Sequence, residues 1–218
     1  GLAFAEGLAE AGADVAVFDV ISPSGTAIES LASKHGVKAR SYIVDVTSLP
    51  SLKKGFDSVY SDFGGKLDIL VACAGVNKNV HFLDTEEEDF ERLYNVNCKG
   101  VYFTAKLAAK AMIANGTKKG SIILVASIAS HMAIRSQRST AYCGTKGAVR
   151  AMVAPIAAEL NEYGIRVNSI SPGYVRTAMT APFPDLLDGW KDEIMNHRVA
   201  EPDDIQGACV FLASDASG

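Results

Sequence analysis

Short apolar runs alternate along the chain with longer stretches in which apolar residues recur at helical spacing. The runs are rich in β-branched residues, which is typical of strands, and they fall at 14–20, 37–46, 67–75, 121–127 and 165–172. The stretches between them predict helices at 2–11, 23–35, 51–63, 85–112 and 140–163, with a final helix after Pro202 and Asp203. Thr85 and Glu88 have the spacing of a capping box, which predicts that the fourth helix starts there.

The order of these elements predicts the fold. Strands that alternate with helices require crossover connections, and such crossovers produce a parallel sheet with helices on both faces. No linker divides the chain, so we expect residues 1–218 to form a single α/β domain with a doubly wound, three-layer sheet of the Rossmann type. In such sheets ligands bind outside the carboxyl ends of the strands. The residues that follow each strand are therefore the candidates for function.

Composition and charge exclude several classes of function. The 218 residues are 48% hydrophobic and 21% charged, which is ordinary for a globular protein, and the net charge is −4 with scattered basic residues. We therefore expect no nucleic-acid partner. No apolar run approaches the roughly 18 residues of a membrane-spanning helix, so we expect no membrane partner. The cysteines and histidines are dispersed, which predicts reduced thiols in a cytoplasmic protein and no metal site.

Three strand ends carry residues that suit a dinucleotide. Asp19 ends the first predicted strand, where a carboxylate accepts hydrogen bonds from the adenosine ribose and repels a 2′-phosphate, so that NAD is favoured over NADP. Asp45 ends the second strand, in a position near the adenine. Ala74 and Gly75 follow the third strand, where small residues let the backbone approach a flat ligand closely. Each of these residues, taken alone, also fits a helix cap or a plain turn.

The strand at 121–127 brings Ser127 to the same edge of the sheet. A serine hydroxyl at that place can donate to a substrate carbonyl or accept from an alcohol. Ser130 lies three positions further along and is the competing candidate. Either serine, taken alone, is more often a turn former or a cap.

Two Tyr-x-x-x-Lys pairs occur in the sequence. Tyr142 and Lys146 lie one helical turn apart near the start of the helix that follows Ser127, and Tyr102 and Lys106 have the same spacing inside an earlier helix. A tyrosine with a pKa near 10 is a poor base at neutral pH, and a nearby ammonium together with an oxidised nicotinamide would stabilise the phenolate. The position after a strand end favours the pair at 142 and 146 for chemistry. The amphipathic surroundings of Tyr102 indicate packing and solvation instead.

These residues stand in an order that resembles the short-chain dehydrogenase/reductase family, and the resemblance extends from Gly1 to Gly218. The stretches that carry it are "LAFAEGLAEAGA" after Gly1, Asp19, Asp45, "ACAG", "NVNCKG", "LVAS", "YCGTK", "IRVNSISPGYVRT" and "EPDDIQGACVFLASDASG". Several are unspecific alone. Their order and spacing together are highly specific.

The resemblance implies a role for each matching residue. The catalytic residues would be Asn97, Ser127, Tyr142 and Lys146. Ser127 would orient the substrate oxygen, and Tyr142 would be the general acid/base. Lys146 would hold the nicotinamide ribose and lower the pKa of Tyr142, and Asn97 would bind the water that starts a proton relay through Lys146. The cofactor-binding residues would be Gly1, Asp19, Asp45, Val46, Ala74, Gly75, Tyr142, Lys146, Pro172, Gly173, Val175 and Thr177, the last four around the nicotinamide.

Three departures from the family pattern change these expectations. "ACAG" replaces the usual "NNAG", so Ala72 and Cys73 lack the amide hydrogen bonds that normally brace this strand, which affects local rigidity more than activity. The loop between Ser127 and Tyr142 is longer than usual and borders the substrate side. The family's first strand and most of its glycine-rich turn G-x-x-x-G-x-G would precede Gly1, which matches only the last glycine of that turn. The far end stops before the family's expected last strand, so the resemblance implies a fold that lacks the family's first and last strands.

The resemblance implies hydride transfer between a nicotinamide cofactor and a secondary alcohol or ketone, with NAD preferred and NADP as the alternative. "PGYVRTAMT" and the stretch around Trp190 are similar to a branch of fungal polyol and ketose reductases, which favours a polyol or ketose as the small-molecule substrate. We also expect a homodimer or homotetramer formed through helices 86–112 and 140–163. Residues 178–198 would cover the substrate, and the large side chains of this segment include Pro182, Phe183, Pro184 and Trp190.

Two alternatives stay open. The chain could be a non-catalytic scaffold of the same fold, or be unable to bind cofactor without the glycine-rich turn. The presence of all four catalytic residues argues against a scaffold, because an inactive relative is expected to have lost at least one. An epimerase or dehydratase of the same family would need an extra substrate domain, for which 218 residues leave little room.

Overall fold

The computed structural model describes the chain apart from residues 22–24, 178–179 and 181–183, and apart from the side chains of residues 25–26 and 184–188. Strands and helices alternate through this described part. The strands are β1 (Val15–Asp19), β2 (Ala39–Ile43), β3 (Ile69–Ala72), β4 (Gly120–Val125) and β5 (Ile165–Ile170). The helices are α1 (Leu2–Glu10), α2 (Gly25–His35), α3 (Leu49–Asp62), α4 (Glu87–Tyr94), α5 (Val101–Ala114), α6 (Thr140–Leu160), α7 (Pro184–Glu193) and α8 (Gln206–Ala213).

All strand pairs are parallel, so the predicted α/β fold is confirmed. β1 pairs with β2, and β4 lies between β3 and β5. Every residue of β4 is buried, because helices cover both of its faces. One face packs with α5 and α6 through residues such as Met112 and Val149, and the other packs with α1 and α8 through Phe4 and Cys209.

The sheet is divided between β1 and β3. These two strands do not pair with each other within the described residues, and a cavity of about 530 Å³ lies between their facing edges. Helix α1 joins the two parts, because Phe4 packs on the β4 side while Ala5 and Ala9 pack against β1. The implied absence of the family's first strand stays a prediction, and the carboxyl ends of all five strands are available for ligand binding.

The predicted helix 85–112 is not continuous. It consists of α4, a π-helical turn at Asn95–Gly100, and α5. The predicted capping box is wrong, because the Thr85 hydroxyl donates to the carbonyl of His81 at 3.1 Å and α4 starts after Glu86. A π turn inserts an extra residue into the hydrogen-bond ladder and is frequent at functional sites. The turn is therefore a candidate functional position in this helix.

The last helix, α8, starts at Gln206, after a 3₁₀ turn at Pro202–Ile205. Glu201, rather than Pro202 or Asp203, is the N-cap of the 3₁₀ turn that leads into α8. It forms a reciprocal capping box with Asp204, whose carboxylate accepts from the Glu201 N–H at 2.7 Å. Within the described residues, no helix is long and apolar enough to cross a membrane. The four cysteines are free thiols, as the sequence predicts.

Candidate active site

The carboxyl ends of β4 and β5 bring the central site residues together. Ser127 follows β4 and caps a 3₁₀ turn at Ile128–Ser130, where its hydroxyl oxygen accepts from the Ala129 N–H at 3.1 Å. The competing Ser130 donates its hydroxyl proton to the Ser127 carbonyl at 2.6 Å, so it serves the turn. Ser127 keeps its own proton for another acceptor, and its hydroxyl acts on Tyr142 in the direction that lowers the pKa of the phenol. Of the two serines, Ser127 thus has the geometry for chemistry.

Helix α6 starts at Thr140 and places Tyr142 and Lys146 on its inner face. Lys146 is 4% exposed, and its Nζ donates to the Val125 carbonyl at the end of β4 at 2.8 Å. The same Nζ lies 5.8 Å from the centroid of the Tyr142 ring. Because an ammonium group has three protons, Lys146 retains two for a ligand. The pair is therefore fixed by the strand end next to Ser127.

Burial controls the protonation of this pair. Burial raises the pKa of Tyr142 above its usual value, and the Ser127 hydroxyl acts in the opposite direction. Burial also lowers the pKa of Lys146, against the opposing effect of the Cys73 and Cys98 thiols. Both shifts favour the neutral forms, because a charge held away from water loses its hydration. The direction for Tyr142 is opposite to the lowering that the resemblance implies, so the chain by itself keeps the phenol protonated.

Asn97 lies in the π turn and is fully buried. Its Oδ1 accepts from the Val76 N–H at 2.9 Å, and its Nδ2 donates to the Val76 carbonyl at 2.9 Å and to the Thr145 Oγ1 at 3.0 Å. Both Nδ2 protons are thus used. The side chain ties the segment after β3 to helix α6, one residue before Lys146.

Thr145 is a site residue that the sequence reasoning missed. It is fully buried, and its hydroxyl accepts from Asn97 and donates to the Tyr142 carbonyl at 2.8 Å. Its carbonyl also accepts from the Cys98 thiol at 3.5 Å. A polar residue directly before Lys146 on the inner face of a helix was the available signal. Thr145 links Asn97 to the backbone that holds Tyr142.

The candidates for the adenosine side lie at the ends of β1 and β2. Asp19 accepts from the Ile21 N–H at 3.1 Å, and Asp45 accepts from the Thr47 N–H and hydroxyl at 2.8 and 2.7 Å. Each carboxylate uses one oxygen in its local turn, and both residues are exposed. Within the described residues, the other oxygen of each carboxylate has no local turn contact and suits a ribose hydroxyl or an amine.

Two glycines allow close approaches around the centre of the site. A Cβ on Gly75 would lie 3.4 Å from Asn97 Oδ1 and 3.5 Å from Lys146 Nζ, so the backbone after Ala74 runs beside both residues. A Cβ on Gly100 would lie 2.8 Å from Val46 Cγ2, a contact too short for a side chain. Gly100 in the π turn therefore sets the position of Val46, one of the predicted cofactor-binding residues.

The segment after β5 lies against the Ser127 turn. The Pro172 carbonyl accepts from the Ile128 N–H at 2.9 Å, and a Cβ on Gly173 would be 3.6 Å from Ile128. Val175 forms a parallel bridge with Ala200. The Thr177 N–H donates to the Thr180 hydroxyl at 2.8 Å. These residues form a polar backbone wall beside Ser127.

Gly1 precedes α1, and its carbonyl accepts from the Ala5 N–H at 3.1 Å. It lines the cavity between β1 and β3. The first turn of a helix offers free N–H groups that suit a phosphate. Within the described part of the chain, no group of His, Cys, Asp or Glu could hold a metal ion.

The predicted cover over the substrate is described in part. Pro182, Phe183 and the side chain of Pro184 lie outside the described residues. Trp190, at the end of α7, is 1% exposed and stacks on Tyr174 with ring centroids 4.6 Å apart. Trp190 therefore points into the protein and fixes α7.

The residues present fit a nicotinamide dinucleotide. Lys146 offers two ammonium protons in a buried position, Gly75 leaves the backbone open beside it, and Asp19 offers a carboxylate oxygen at the neighbouring strand end. At the edge of a parallel sheet, the ammonium suits the nicotinamide ribose diol, the open backbone suits the flat nicotinamide ring, and the carboxylate suits the adenosine ribose. The site therefore has the donor set that such a cofactor needs.

Comparison with known proteins agrees with this geometry. A family model described as enoyl-(acyl carrier protein) reductase matches residues 1–218. Sorbose reductase of Schizosaccharomyces pombe is 32% identical over 222 residues, which cover 100% of this chain and 85% of that protein. (3R)-3-hydroxyacyl-CoA dehydrogenase of Rattus norvegicus is 31% identical over 230 residues, with 100% and 86% covered.

A solved structure is similar over the same length. Gluconate 5-dehydrogenase from Burkholderia cenocepacia, in complex with NADP and tartrate, superposes with a TM-score of 0.90 at 31% identity, and covers 100% of this chain and 85% of that one. The resemblance predicted from the motifs is thereby confirmed. The chain belongs to the short-chain dehydrogenase/reductase family, whose members are NAD(P)-dependent oxidoreductases acting on CH–OH groups.

Proposed function

We propose that the chain interconverts a secondary alcohol and a ketone with Tyr142 as the general acid/base. The observation that carries the proposal is the grouping of Ser127, Tyr142 and Lys146 at the end of β4, where the lysine is buried and donates to the Val125 carbonyl. The Ser127 hydroxyl is close enough to Tyr142 to act on the pKa of its phenol. A bound nicotinamide cofactor supplies the hydride in reduction and accepts it in oxidation.

The side chains divide the remaining work. Ser127 and Tyr142 both donate to the substrate oxygen, which holds the carbonyl in place and stabilises negative charge on it. Tyr142 then transfers its phenolic proton to that oxygen in reduction and takes it back in oxidation. Lys146, with two unused ammonium protons, holds the ribose hydroxyls and favours the phenolate through its charge.

Proton supply to this group involves Asn97 through its backbone. Both Nδ2 protons and Oδ1 of Asn97 already bond to Val76 and Thr145. A water on the relay would therefore be held by main-chain carbonyls of the π turn, where the ladder is displaced. The amide side chain fixes that turn against α6.

The proposed cofactor is NAD. Asp19 is exposed at the end of β1, and a carboxylate there repels the 2′-phosphate of NADP. Asp19→Ser should shift the ratio of the NADH and NADPH dissociation constants by about tenfold towards NADPH, the effect of about 1.4 kcal/mol. Asp14→Ser, at the opposite end of β1, is the matched control and should leave the ratio unchanged.

The proposed substrate is a polyol or ketose. The similarity to a sorbose reductase and to a gluconate 5-dehydrogenase supports this class. Polar side chains near Ser127 also support a substrate with several hydroxyls. They include His131 and Ser171, whose Nε2 and Oγ atoms are 3.0 Å apart. A hydroxyacyl thioester, the substrate class named for the rat relative, is the alternative to include in the assay.

We further propose that residues 1–218 act as one domain within a homodimer or homotetramer. Helix α6 exposes a row of small residues at Gly144, Ala151, Ala154 and Ala158, and α5 exposes Tyr102. Small residues allow two helices to approach closely, which suits a self-complementary interface. Sedimentation velocity with Ala154→Arg should detect the loss of the assembly.

The experiment that tests the function is a reductase assay with the full chain. L-Sorbose, D-fructose and acetoacetyl-CoA are offered with NADH or NADPH, and the loss of reduced-nicotinamide absorbance is followed. We expect turnover of a ketose with NADH. Absence of binding of either cofactor in a fluorescence titration would refute the enzymatic function and favour the scaffold alternative.

A further inference from the structure

Helix α7 is held to the rest of the protein through its last residues. The Trp190 ring stacks on Tyr174, and the Tyr174 hydroxyl donates to Glu193 Oε2 at 2.7 Å. Ile194 and the buried Val199 complete the apolar contact around Trp190. We name Tyr174, Trp190 and Glu193 the α7 clasp.

Tyr174 is itself fixed from both sides. Its carbonyl accepts from the Ala200 N–H at 2.9 Å, and the Arg176 N–H donates to the Ala200 carbonyl at 2.8 Å, so the chain that leaves α7 runs beside it. Burial raises the pKa of Tyr174, and the Glu193 carboxylate raises it further, so the phenol stays protonated and donates. The clasp therefore combines a stacked pair with a hydrogen bond to a charged acceptor.

The clasp lies next to the catalytic serine. Tyr174 directly follows Gly173, where an added Cβ would be 3.6 Å from Ile128, the neighbour of Ser127. The buried Ser136 hydroxyl, in the loop between Ser127 and Tyr142, lies near the Tyr174 phenol. Tyr174 thus contacts helix α7 on one side and lies near Ser136 on the other, while its neighbour Gly173 lies beside Ile128.

We propose that Tyr174 is a positioning residue, which sets the place of α7 relative to Ser127 and so determines how well substrates larger than the reacting carbonyl group bind. This inference rests on the proposed function. A small ketone needs contacts only with Ser127 and Tyr142. A six-carbon ketose is longer, and in this proposal its far end lies against α7. Binding energy from such remote contacts is lost when α7 is displaced.

The kinetic test compares two ketoses in the wild type, Tyr174→Phe and Tyr163→Phe. L-Sorbose is the large substrate and dihydroxyacetone the small one. Tyr174→Phe keeps the stacking and loses the hydrogen bond to Glu193, so KM for L-sorbose should rise about fivefold with little change in kcat. KM for dihydroxyacetone should change less than about twofold. Tyr163 precedes β5 at the opposite edge of the sheet and should have no effect.

A second measurement does not depend on activity. Trp190 is the one tryptophan of the chain, so its fluorescence reports the clasp directly. Tyr174→Leu removes the stacked ring, and acrylamide quenching of Trp190 should rise by about twofold or more as the indole gains exposure. Tyr174→Phe, which retains an aromatic ring, should restore quenching close to the wild-type value.

The failures of the two proposals are distinguishable. Unchanged quenching in Tyr174→Leu would show that the clasp does not hold α7. A parallel fall of kcat for both ketoses in Tyr174→Phe, without a KM difference between them, would show a purely structural role. Absence of turnover with both ketoses in the wild type would refute the proposed substrate class, while the quenching result still decides the contact.

Discussion

The two Tyr-x-x-x-Lys pairs share one spacing and have opposite environments. Lys146 is 4% exposed and donates to the end of β4, whereas Lys106 points to solvent, 5.8 Å from the Phe103 ring. Tyr102 is 44% exposed and meets Phe103 edge to face. The spacing fixes only that both side chains share a helix face. What differs is that α6 is the helix that follows β4 in the chain, and its inner face holds Lys146 against the carboxyl end of that strand, next to Ser127.

The environments predict different chemistry from the same residue types. A buried ammonium and phenol change pKa and interact strongly, because little water screens them. An exposed pair is screened and contributes little. The following variants measure how far this difference extends.

The largest effect is expected at the tyrosines. Tyr142→Phe removes the proton that is transferred to the substrate oxygen, so kcat should fall by about 10³-fold with cofactor affinity nearly unchanged. Tyr102→Phe should retain wild-type kcat. Steady-state kinetics and a fluorescence titration of the cofactor check both. Comparable activity of the two variants would remove the distinction between the pairs.

The lysines should show the next largest effect. Lys146→Met removes the buried ammonium beside the phenol, and kcat should fall by about 10²-fold. Lys106→Met serves as the control, because its ammonium is exposed and should leave kcat within about twofold of the wild type. Circular dichroism verifies that both variants fold. An equal loss in both would mean that general destabilisation, rather than position, explains the kinetics.

Much of this comparison could be predicted from the sequence. The alternation of strands and helices, Ser127 at a strand end and the preference for Tyr142 over Tyr102 all follow from periodicity and from the parallel sheet. Periodicity could not choose between Ser127 and Ser130, because the choice depends on which hydroxyl bonds to the turn, and only the family resemblance favoured Ser127.

The π turn could not be predicted from the sequence pattern. An apolar periodicity near 3.6 residues does not distinguish a continuous helix from one with an inserted residue. The role of Thr145 was missed for a related reason, since it depends on Asn97 reaching across from another helix at 3.0 Å. The direction of the Tyr142 pKa also escaped prediction, because burial is a property of the whole fold.

Buried and exposed side chains can also be compared in the π turn that contains Asn97 and leads into the helix that carries Tyr102. Asn97→Ala leaves the Val76 N–H and carbonyl without their partner and removes the donor to the Thr145 hydroxyl, which should lower the free energy of unfolding by about 2–4 kcal/mol. Asn95→Ala, two residues earlier in the same π turn, changes an exposed side chain and should cost less than about 1 kcal/mol. Urea denaturation measures both. Equal costs would show that the π turn does not depend on the buried amide.

The smallest effect is a pH dependence of stability that only the buried lysine should show. Burial lowers the folded-state pKa of Lys146 below its unfolded value, so between the two values the unfolded chain binds a proton that the folded chain lacks. Stability therefore rises with pH across this window, relative to a variant without the lysine. Urea denaturation measured between about pH 7 and pH 10 should show the free energy of unfolding of the wild type rising with pH relative to that of Lys146→Met. A constant difference for Lys146→Met would mean that the folded protein holds this ammonium as easily as water does.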